Sequence, residues 1–305
     1  MFKLIFRRLL QAIPVLFCIA TITFFMVKLA PGDPLAQERA VSPEIRQKQL
    51  EFYGLDQPLM VQYVRFLSNI ARGDLGISIT HSNQTVVDIV RNHFPITLQY
   101  ASLALIFALC VGIPVGMLAA VRRNSFWDYG PMALAMVGIC LPTFVIGPIL
   151  SLTIGTQLKW LPSSGWGNFD HLILPALTLG LFYAAYIARL TRGGMLEVAQ
   201  MDFVRTARAK GVPAHQIVIK HMVRGGILPV VSFLGPAIAG LLTGSFVVES
   251  IFSIPGLGRF FVDSAVNRDY PLILGLVVFY GALIITLNAL VDIVLIFLNP
   301  RLRNG

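Results

Sequence analysis

The residues of this chain with the clearest capacity for chemistry are cations gathered in one loop. Arg205, Arg208 and Lys210 lie in a basic, glycine-containing segment, residues 202–229, between two apolar stretches that are each long enough to cross a bilayer. The chemistry that such residues offer is recognition of a partner rather than bond making. A membrane protein needs a large structured loop where something must be held, so the segment indicates a docking surface for a soluble protein.

The pattern of this loop predicts a short helix with defined ends. No proline interrupts residues 195–210. Apolar residues recur there at helical intervals and are expected to share one face: Leu196, Ala199, Phe203 and Ala207. Gly211 suits a helix C-cap, Pro213 prevents continuation, and a second helical stretch is expected over 214–223. A helix held by turns at both ends can act as a rigid lever, but a basic amphipathic helix can also rest on anionic lipid. The pattern alone leaves both interpretations open.

Other residues that could do chemistry are few. The three cysteines, Cys18, Cys110 and Cys140, are dispersed and odd in number, so neither a disulfide framework nor a zinc site is implied. No glycine-rich phosphate loop ending in Lys-Ser or Lys-Thr occurs in the sequence. Asp292 falls in an apolar stretch, where it has either a mechanistic role or a place near the head groups. Lys28, at the end of another stretch, is expected to extend its ammonium group to the interface. We therefore predict no catalytic residue and no metal ligand.

The elements that position these residues are apolar segments. Of the 305 residues, 56% are hydrophobic and only 13% are charged, whereas a soluble domain has about 25% charged residues. Six stretches approach or exceed the roughly 20 residues that a bilayer requires: residues 9–30, 98–121, 129–154, 172–188, 227–248 and 272–298. Backbone polar groups cannot remain unpaired in lipid, so these stretches should be helices. The predicted fold class is all-α, a polytopic membrane protein with six transmembrane helices.

Charge predicts the orientation of these helices. With both termini inside, the inner segments are 1–8, 122–128, 189–226 and 299–305, which together hold 14 Lys and Arg against 3 Asp and Glu. The opposite side holds 9 Lys and Arg and 11 Asp and Glu. An excess of basic residues marks the cytoplasmic face. The net charge of +9 is thus mostly a signal of topology, and nothing indicates nucleic acid as a partner.

The chain divides unevenly. Residues 1–97 are predicted to form the first transmembrane helix and a small periplasmic cap, and residues 98–305 a five-helix core that carries the cytoplasmic loop 189–226. Within the core, the pairs Gly112 with Gly116 and Gly240 with Gly244 allow close approach of helix backbones. One interpretation is ordinary helix packing. The other is that the fifth span lines a pathway or faces a second subunit, through Gly240, Thr243, Gly244 and Ser245.

The basic loop resembles the signature loop of ABC-importer permeases, which are the membrane subunits of binding-protein-dependent transporters. The similarity rests on Arg-Thr-Ala-Arg-Ala-Lys-Gly at 205–211 and Ile-Leu-Pro at 227–229. That signature has Glu and Ala where this chain has Arg205 and Thr206, and the form found here is typical of the peptide/nickel branch. Further similarities to that branch are spread along the chain, at residues 7–8, 31–34, 55–58, 73–78, 248–258 and 268–271. The whole pattern is most similar to the B-type subunits of oligopeptide importers.

The resemblance implies a fold, partners and site residues. The fold is that of a type I ABC-importer permease in the bacterial inner membrane. The partners are a second homologous permease, two cytoplasmic ATPase subunits that bind ATP and magnesium, and an extracytoplasmic solute-binding protein. The segment that couples to the ATPase comprises Phe203, Arg205, Thr206, Ala207, Arg208, Ala209, Lys210 and Gly211. The periplasmic gate or docking residues are Glu249, Pro255, Gly256 and Gly258, although such a turn can also be structural.

The resemblance also implies the activity, which is import rather than catalysis. Oligopeptides are the expected substrate, and dipeptides, glutathione or nickel chelates are the alternatives within the branch. A stand-alone secondary transporter is a different possibility, and it requires ionisable residues near the middle of the membrane. A membrane anchor whose basic loop recruits a cytoplasmic protein is a third.

Overall fold

The protein is built from helices. The structure is a computed structural model that describes four stretches of the chain: residues 2–30, 43–81, 84–243 and 246–298. Its helices, in chain order, are α1 (Phe2–Leu29), α2 (Pro43–Tyr53), α3 (Leu59–Ala71), α4 (Val86–Val121), α5 (Phe126–Cys140), α6 (Thr143–Leu150) with a π-helical continuation (Ser151–Gln157), α7 (Asp170–Ala199), α8 (Asp202–Ala209), α9 (Ala214–Gln216) with a π-helical continuation (Ile217–Met222), α10 (Val223–Gly226), α11 (Leu228–Thr243), α12 (Phe246–Ile251), α13 (Leu257–Val266) and α14 (Tyr270–Leu298). Within the described stretches, strand-like pairing is limited to one isolated bridge between Ile77 and Thr85. The predicted all-α class is confirmed.

Among the described residues, five helical stretches are long and apolar enough to cross a membrane: Leu10–Leu29, Val86–Val121, Asp170–Ala199, Leu228–Ile251 and Tyr270–Leu295. A sixth crossing is present if the bent pair α5 and α6, with its π-helical continuation, counts as one span. Each of these stretches overlaps one of the six predicted apolar segments. The membrane-spanning helical class is thus confirmed, while the count of six and the cytoplasmic side of the termini stay predictions.

The third predicted span, residues 129–154, is not one straight helix. Its two halves meet at an angle of 102°. Helix α5 ends at Cys140, Leu141 is extended at φ −82° and ψ 119°, and Pro142 immediately precedes α6. A proline disfavours the helical conformation in the residue before it and offers no backbone N–H, so the helix stops and restarts there. Apolar composition, on which the predicted span rested, does not report such a bend.

Two helices continue well beyond their predicted spans. Helix α4 has 36 residues and begins at Val86 rather than near residue 98. Helix α7 has 30 residues and continues past 188 to Ala199. At about 1.5 Å per residue both exceed the roughly 30 Å of hydrocarbon, so they extend out of it. Arg189 and Arg192 end the apolar pattern of α7 but not the helix, because arginine is a good helix former.

The described chain separates into two compact units. The core unit contains Ile96–Pro255 and the end of α14 from Thr286 onward, and the cap unit contains Phe2–Pro95 and Gly256–Ile285. The predicted division at 97/98 lies close to the first of these boundaries. It did not anticipate that Gly256–Ile285 groups with the N-terminal part of the chain.

Glycines hold α4 and α7 of the core unit together. A Cβ at Gly112 would lie 2.6 Å from the carbonyl oxygen of Ala184 and 2.9 Å from Cβ of Ile187. One turn further along α4, a Cβ at Gly116 would lie 2.6 Å from Cβ of Thr191. These three distances are too short for any side chain, so the two backbones touch where the small-residue pattern predicted close approach.

The cap unit is organised around one buried carboxylate, Asp269. Its Oδ2 accepts hydrogen bonds from the hydroxyls of Ser78 (2.5 Å) and Thr80 (2.7 Å) and from the backbone N–H groups of Ile79 and Thr80 (both 3.0 Å). The Tyr53 hydroxyl donates to the carbonyl of Ser78 at 3.2 Å. Two stretches that carry the family resemblance, 73–78 and 268–271, are therefore joined physically in this unit.

Candidate functional site

The predicted coupling segment forms a separate short helix, α8, at the end of the long helix α7. Between them the N–H of Gln200 bonds to the carbonyl of Glu197 (3.2 Å) and that of Met201 to Val198 (3.0 Å). Met201 is extended at φ −71° and ψ 149°, and α8 begins at Asp202. The uninterrupted helical face predicted over 195–210 is therefore wrong, because the chain changes direction at residues 200–201.

This break alters which side of the segment faces inward. Val204 is fully buried and Ala207 is 7% exposed, whereas Phe203 is 48% exposed. The prediction placed Phe203 on the apolar face with Ala207. The prediction counted helical intervals across residues 200–201 as if the helix were continuous. The turn at these residues changes the direction in which every later side chain points relative to Leu196 and Ala199. Val204, which the pattern missed, is the residue that anchors α8.

Val204 and Ala207 pack on a hydrophobic cluster, hereafter the loop cluster. It also contains buried residues from α4, α7 and the π-helical stretch that follows α9: Ala120, Met195, Val198, Ile217 and Met222. At about 25 cal/mol per Å² of apolar surface removed from water, such packing holds a two-turn helix that could not persist alone. Helix α8 is therefore fastened to the membrane-embedded helices α4 and α7.

Glycines also bring the segment after the loop, α10, into close contact with α7. A Cβ at Gly226 would lie 2.6 Å from Sδ of Met195, and one at Gly225 would lie 2.9 Å from Cγ2 of Val198. On α7, a Cβ at Gly194 would overlap the backbone at Gly226. Helix α10 thus runs directly against the end of α7. No prediction from the sequence placed Gly225 or Gly226 at such a contact.

The C-terminal end of α8 is closed by a Schellman motif. Gly211 has φ +74°, its N–H bonds to the carbonyl of Arg208 at 3.0 Å, and the N–H of Val212 bonds to the carbonyl of Ala207 at 3.1 Å. Glycine adopts this left-handed conformation without the penalty of a Cβ. The predicted C-cap at Gly211 is confirmed.

The outer face of α8 is exposed and mixed in character. Every residue of the predicted coupling segment except Ala207 is exposed: Phe203, Arg205, Thr206, Arg208, Ala209, Lys210 and Gly211. Arg205 lies 3.7 Å from Asp202, one turn earlier, in an ion pair whose side chains are 71% and 97% exposed. An exposed pair of this kind contributes little to stability. The face therefore offers an aromatic ring and three cations to a partner.

An ion pair that the sequence did not reveal fastens α5 to α7. Asp128 is 1% exposed, and its oxygens accept from Nε of Arg192 at 2.5 Å and from Nη2 at 2.9 Å. The N–H of Asn124 also donates to this carboxylate, at 3.0 Å. The bidentate geometry fixes both direction and distance. No local signal distinguished Asp128 from an ordinary loop charge, because its partner is 64 residues away.

The predicted gate or docking residues lie largely inside the protein. Glu249 on α12 is fully buried, and its Oε1 accepts from the hydroxyls of Thr97 (2.8 Å) and Tyr100 (2.5 Å). Such burial does not fit a docking surface for Glu249. The chain then turns through Ser253 at φ +53°, Pro255 is half-buried, and Gly256 and Gly258 are buried at the start of α13. A gating role for these residues stays a prediction.

The predicted pathway residues are only partly described. Gly240 faces α7, where a Cβ would overlap the hydroxyl of Tyr183. The hydroxyl of Thr243 bonds to the carbonyl of Ala239 at 2.8 Å. Gly244 and Ser245 lie outside the described residues. In the described part of the chain, no group of three or more His, Cys, Asp and Glu residues is arranged to hold a metal ion.

Comparison with known proteins defines the class to which this fold and loop belong. Residues 112–304 match the family model of the binding-protein-dependent transport system inner membrane component, and residues 1–101 match the N-terminal model of the same membrane component. The chain belongs to this family of inner-membrane permeases, and the resemblance inferred from its motifs is confirmed.

Particular permeases and one solved transporter structure are similar to this chain. The oligopeptide transport system permease protein OppB of Haemophilus influenzae is 44% identical over 305 residues, covering 99% of this chain and 100% of the relative. The dipeptide transport system permease protein DppB of Bacillus subtilis is 40% identical over 285 residues, covering 93% and 92%. An inward-facing structure of the MetNI methionine ABC transporter matches with a TM-score of 0.59 at 18% identity, over 69% of this chain and 96% of that one. That structural match shows a shared fold.

Proposed function

We propose that this permease imports oligopeptides, as half of a translocation pathway driven by separate ATPase subunits. The observation that carries the proposal is the construction of α8. Its inner side, Val204 and Ala207, is fastened to the loop cluster, and its outer side presents Phe203, Arg205 and Arg208 to solvent. A helix fixed on one side and exposed on the other is suited to transmit movement from a soluble partner.

The contacts beneath α8 support a lever rather than a lipid-bound helix. A helix that rests on lipid buries its apolar face in the bilayer, but here Val204 and Ala207 are covered by protein. The contacts of the loop cluster reach α4 and α7, which themselves touch at Gly112 and Gly116. A displacement of α8 would therefore be passed to two long helices, since packed interiors transmit strain.

Membership of this family supports our proposal about the partner subunits of the transporter. Its members are components of binding-protein-dependent transport systems. We therefore propose that a solute-binding protein acts with this chain on the outer side of the membrane and that ATPase subunits act with it on the inner side. We further propose a second, homologous permease beside it and two ATPase subunits that bind ATP and magnesium. The substrate proposal rests on the 44% identity to OppB proteins; dipeptides are the alternative, given the 40% identity to DppB.

Charge reversal on the outer face of α8 tests the coupling role. The variant Arg205→Glu/Arg208→Glu should abolish peptide uptake and uncouple ATP hydrolysis, because it reverses the charge of two of the three cations of the exposed face while leaving Val204 and Ala207 in place. The matched control is Lys48→Glu/Arg72→Glu, which makes the same change of charge at two exposed positions of the cap unit. Both variants should insert into the membrane at unmodified levels. Uptake at the unmodified level in the α8 variant would show that these cations are not needed to couple ATP hydrolysis to peptide uptake.

Co-purification tests which subunits assemble with this chain. The tagged full-length chain, extracted in mild detergent and analysed by mass spectrometry, should bring down a second permease and one or two ATPase subunits. Recovery of the chain alone would contradict the importer assembly. Peptide binding by the solute-binding protein of the same system would then be compared between dipeptides and longer peptides, which separates the two substrate classes.

A further inference from the structure

A cavity of about 340 Å³ lies within the cap unit, and all of the described residues that line it belong to that unit. Its walls come from the end of α1, the turn after α2, one side of α3, the segment 74–77 and the start of α14. Aromatic and apolar side chains supply much of the lining, including Phe24, Phe52, Phe66 and Leu274. This volume is near the lower end of the range of about 300–1,000 Å³ that is typical of small-molecule sites.

Two cations, Lys28 and Arg65, line this cavity. Nζ of Lys28 lies 5.2 Å from the ring centre of Tyr270 and 5.9 Å from that of Phe24, so aromatic faces hold the ammonium group in place. Within the described part of the chain, neither Lys28 nor Arg65 has a carboxylate within 4.0 Å. Space for the guanidinium of Arg65 exists because Gly54 has no side chain; a Cβ there would lie 2.7 Å from Nη1.

Among the described lining residues one carboxylate, Asp74, is present, and it forms no ion pair within 4.0 Å with either cation. Asp74 accepts the backbone N–H of Gly76 at 2.9 Å and so serves the local turn. The side chain of Asn69 adds a neutral hydrogen-bond donor to the wall. The described lining thus offers two cations and the carboxamide of Asn69 together with aromatic rings. Such a set fits a ligand that has one anionic group and an apolar body.

The position of Lys28 along α1 indicates the ligand class. Lys28 is in the last turn of α1, at the end of the 20-residue apolar stretch Leu10–Leu29. Twenty helical residues cover about 30 Å, which is the thickness of the hydrocarbon layer. When this stretch crosses the bilayer, its length therefore brings the ammonium group to the level where the phosphates of membrane lipids lie.

We propose that this cavity binds the phosphate head group of a membrane glycerophospholipid. Lys28 and Arg65 bind the phosphate, the aromatic walls contact the glycerol backbone, and the acyl chains remain in the bilayer. A bound lipid would neutralise the two cations and join α1, α3 and α14 at one point. The lipid assignment does not rest on the proposed function, and lipid binding is measured without transport.

Native mass spectrometry of the full-length chain, with whatever subunits co-purify, tests this site. The purified protein is delipidated and titrated with phosphatidylglycerol. One tightly bound lipid is expected, and Lys28→Gln/Arg65→Gln should weaken it about thirtyfold, since each cation near an anionic lipid contributes roughly fivefold. The control Lys48→Gln/Arg72→Gln removes two exposed charges of the same unit that do not line the cavity. It should bind as the unmodified protein does.

Charge-preserving variants distinguish recognition of the lipid from damage to the fold. Lys28→Arg and Arg65→Lys keep the charges and should retain the lipid. Unchanged lipid affinity in the double glutamine variant would overturn the proposal, as would equal loss in the charge-preserving variants. Displacement of the lipid by millimolar inorganic phosphate would show that the site takes a free anion, and the lipid assignment would then be wrong.

Discussion

Shortening Val204 to alanine should loosen α8 without changing its exposed face. The Val204 side chain is fully buried in the loop cluster, and the substitution removes two methyl groups. At about 0.8 kcal/mol for each buried carbon the loss is about 1.6 kcal/mol, to which the unfilled cavity adds. Since each 1.4 kcal/mol or so is a factor of ten, the population in which α8 is detached should rise roughly fifteenfold or more.

Hydrogen exchange measures this population directly. Amides of α8 exchange when the helix opens, so in Val204→Ala their protection should fall by about the same factor of fifteen, while the amides in the middle of α7 remain unchanged. The matched control is Phe203→Ala, which shortens the neighbouring side chain that is 48% exposed. It should leave the protection of α8 almost unaltered. If α8 transmits movement, peptide uptake should fall in both variants, through loss of attachment in one and loss of a partner contact in the other.

A different outcome would refute the reasoning at a defined step. Unchanged exchange in Val204→Ala would mean that the loop cluster does not hold α8. A full loss of protection for α8 together with normal uptake would mean that a rigid attachment of this helix is not needed for coupling.

The remaining predictions concern stability and are checked on the purified chain in detergent. Gly194→Ala should lower the thermal unfolding midpoint, because its Cβ would lie 3.2 Å from Cδ of Pro229 and overlap the backbone at Gly226, at a cost of about 1–3 kcal/mol. Gly193→Ala, where nothing lies within 4 Å, should leave it unchanged or raise it; equal midpoints would contradict the close contact. Asp128→Asn should destabilise by about 1.5–3 kcal/mol, because Arg192 loses charge-assisted hydrogen bonds, and a midpoint equal to that of the unmodified chain would show the ion pair to be unimportant. Burial, and then the charge of Asp269, raises the pKa of Tyr53 above its ordinary value of 10.0. The neutral phenol is therefore favoured in the fold, its stabilisation is present below that value, and it is lost as the pH rises through the raised pKa. Asp269→Asn should lower this pKa in an absorbance titration, and an unaltered titration would remove the carboxylate as a cause.

Features that depend on local chemistry were predictable from the sequence. The C-cap at Gly211 followed from the conformational freedom of glycine and the proline two residues later, and the close approach at Gly112 and Gly116 followed from small residues one turn apart. The bend at Pro142 was also within reach, because proline restricts the residue before it. Apolar composition, which set the bounds of this span, reports neither the bend nor its angle of 102°.

The orientation of α8 was not predictable in the same way. Whether Phe203 or Val204 faces inward depends on where α7 ends, and helix ends are set by contacts as much as by sequence. Glu249 illustrates the same limit. A carboxylate beside a Pro-Gly turn looks like a surface residue until Thr97 and Tyr100, about 150 positions earlier, are seen to donate to it.

The sequence by itself determined the class of this protein: apolar runs of bilayer length require helices, and the motifs of loop 202–229 identify the family. The tertiary structure alone decided which residues meet. Asp128 with Arg192, Asp269 with Ser78 and Thr80, and Lys28 with Arg65 around one cavity are brought together by helix packing. The physical reason is the distance along the chain over which each effect acts. Hydropathy and glycine conformation act within a few residues of the chain, whereas ion pairing and burial act across space between residues that the sequence holds far apart.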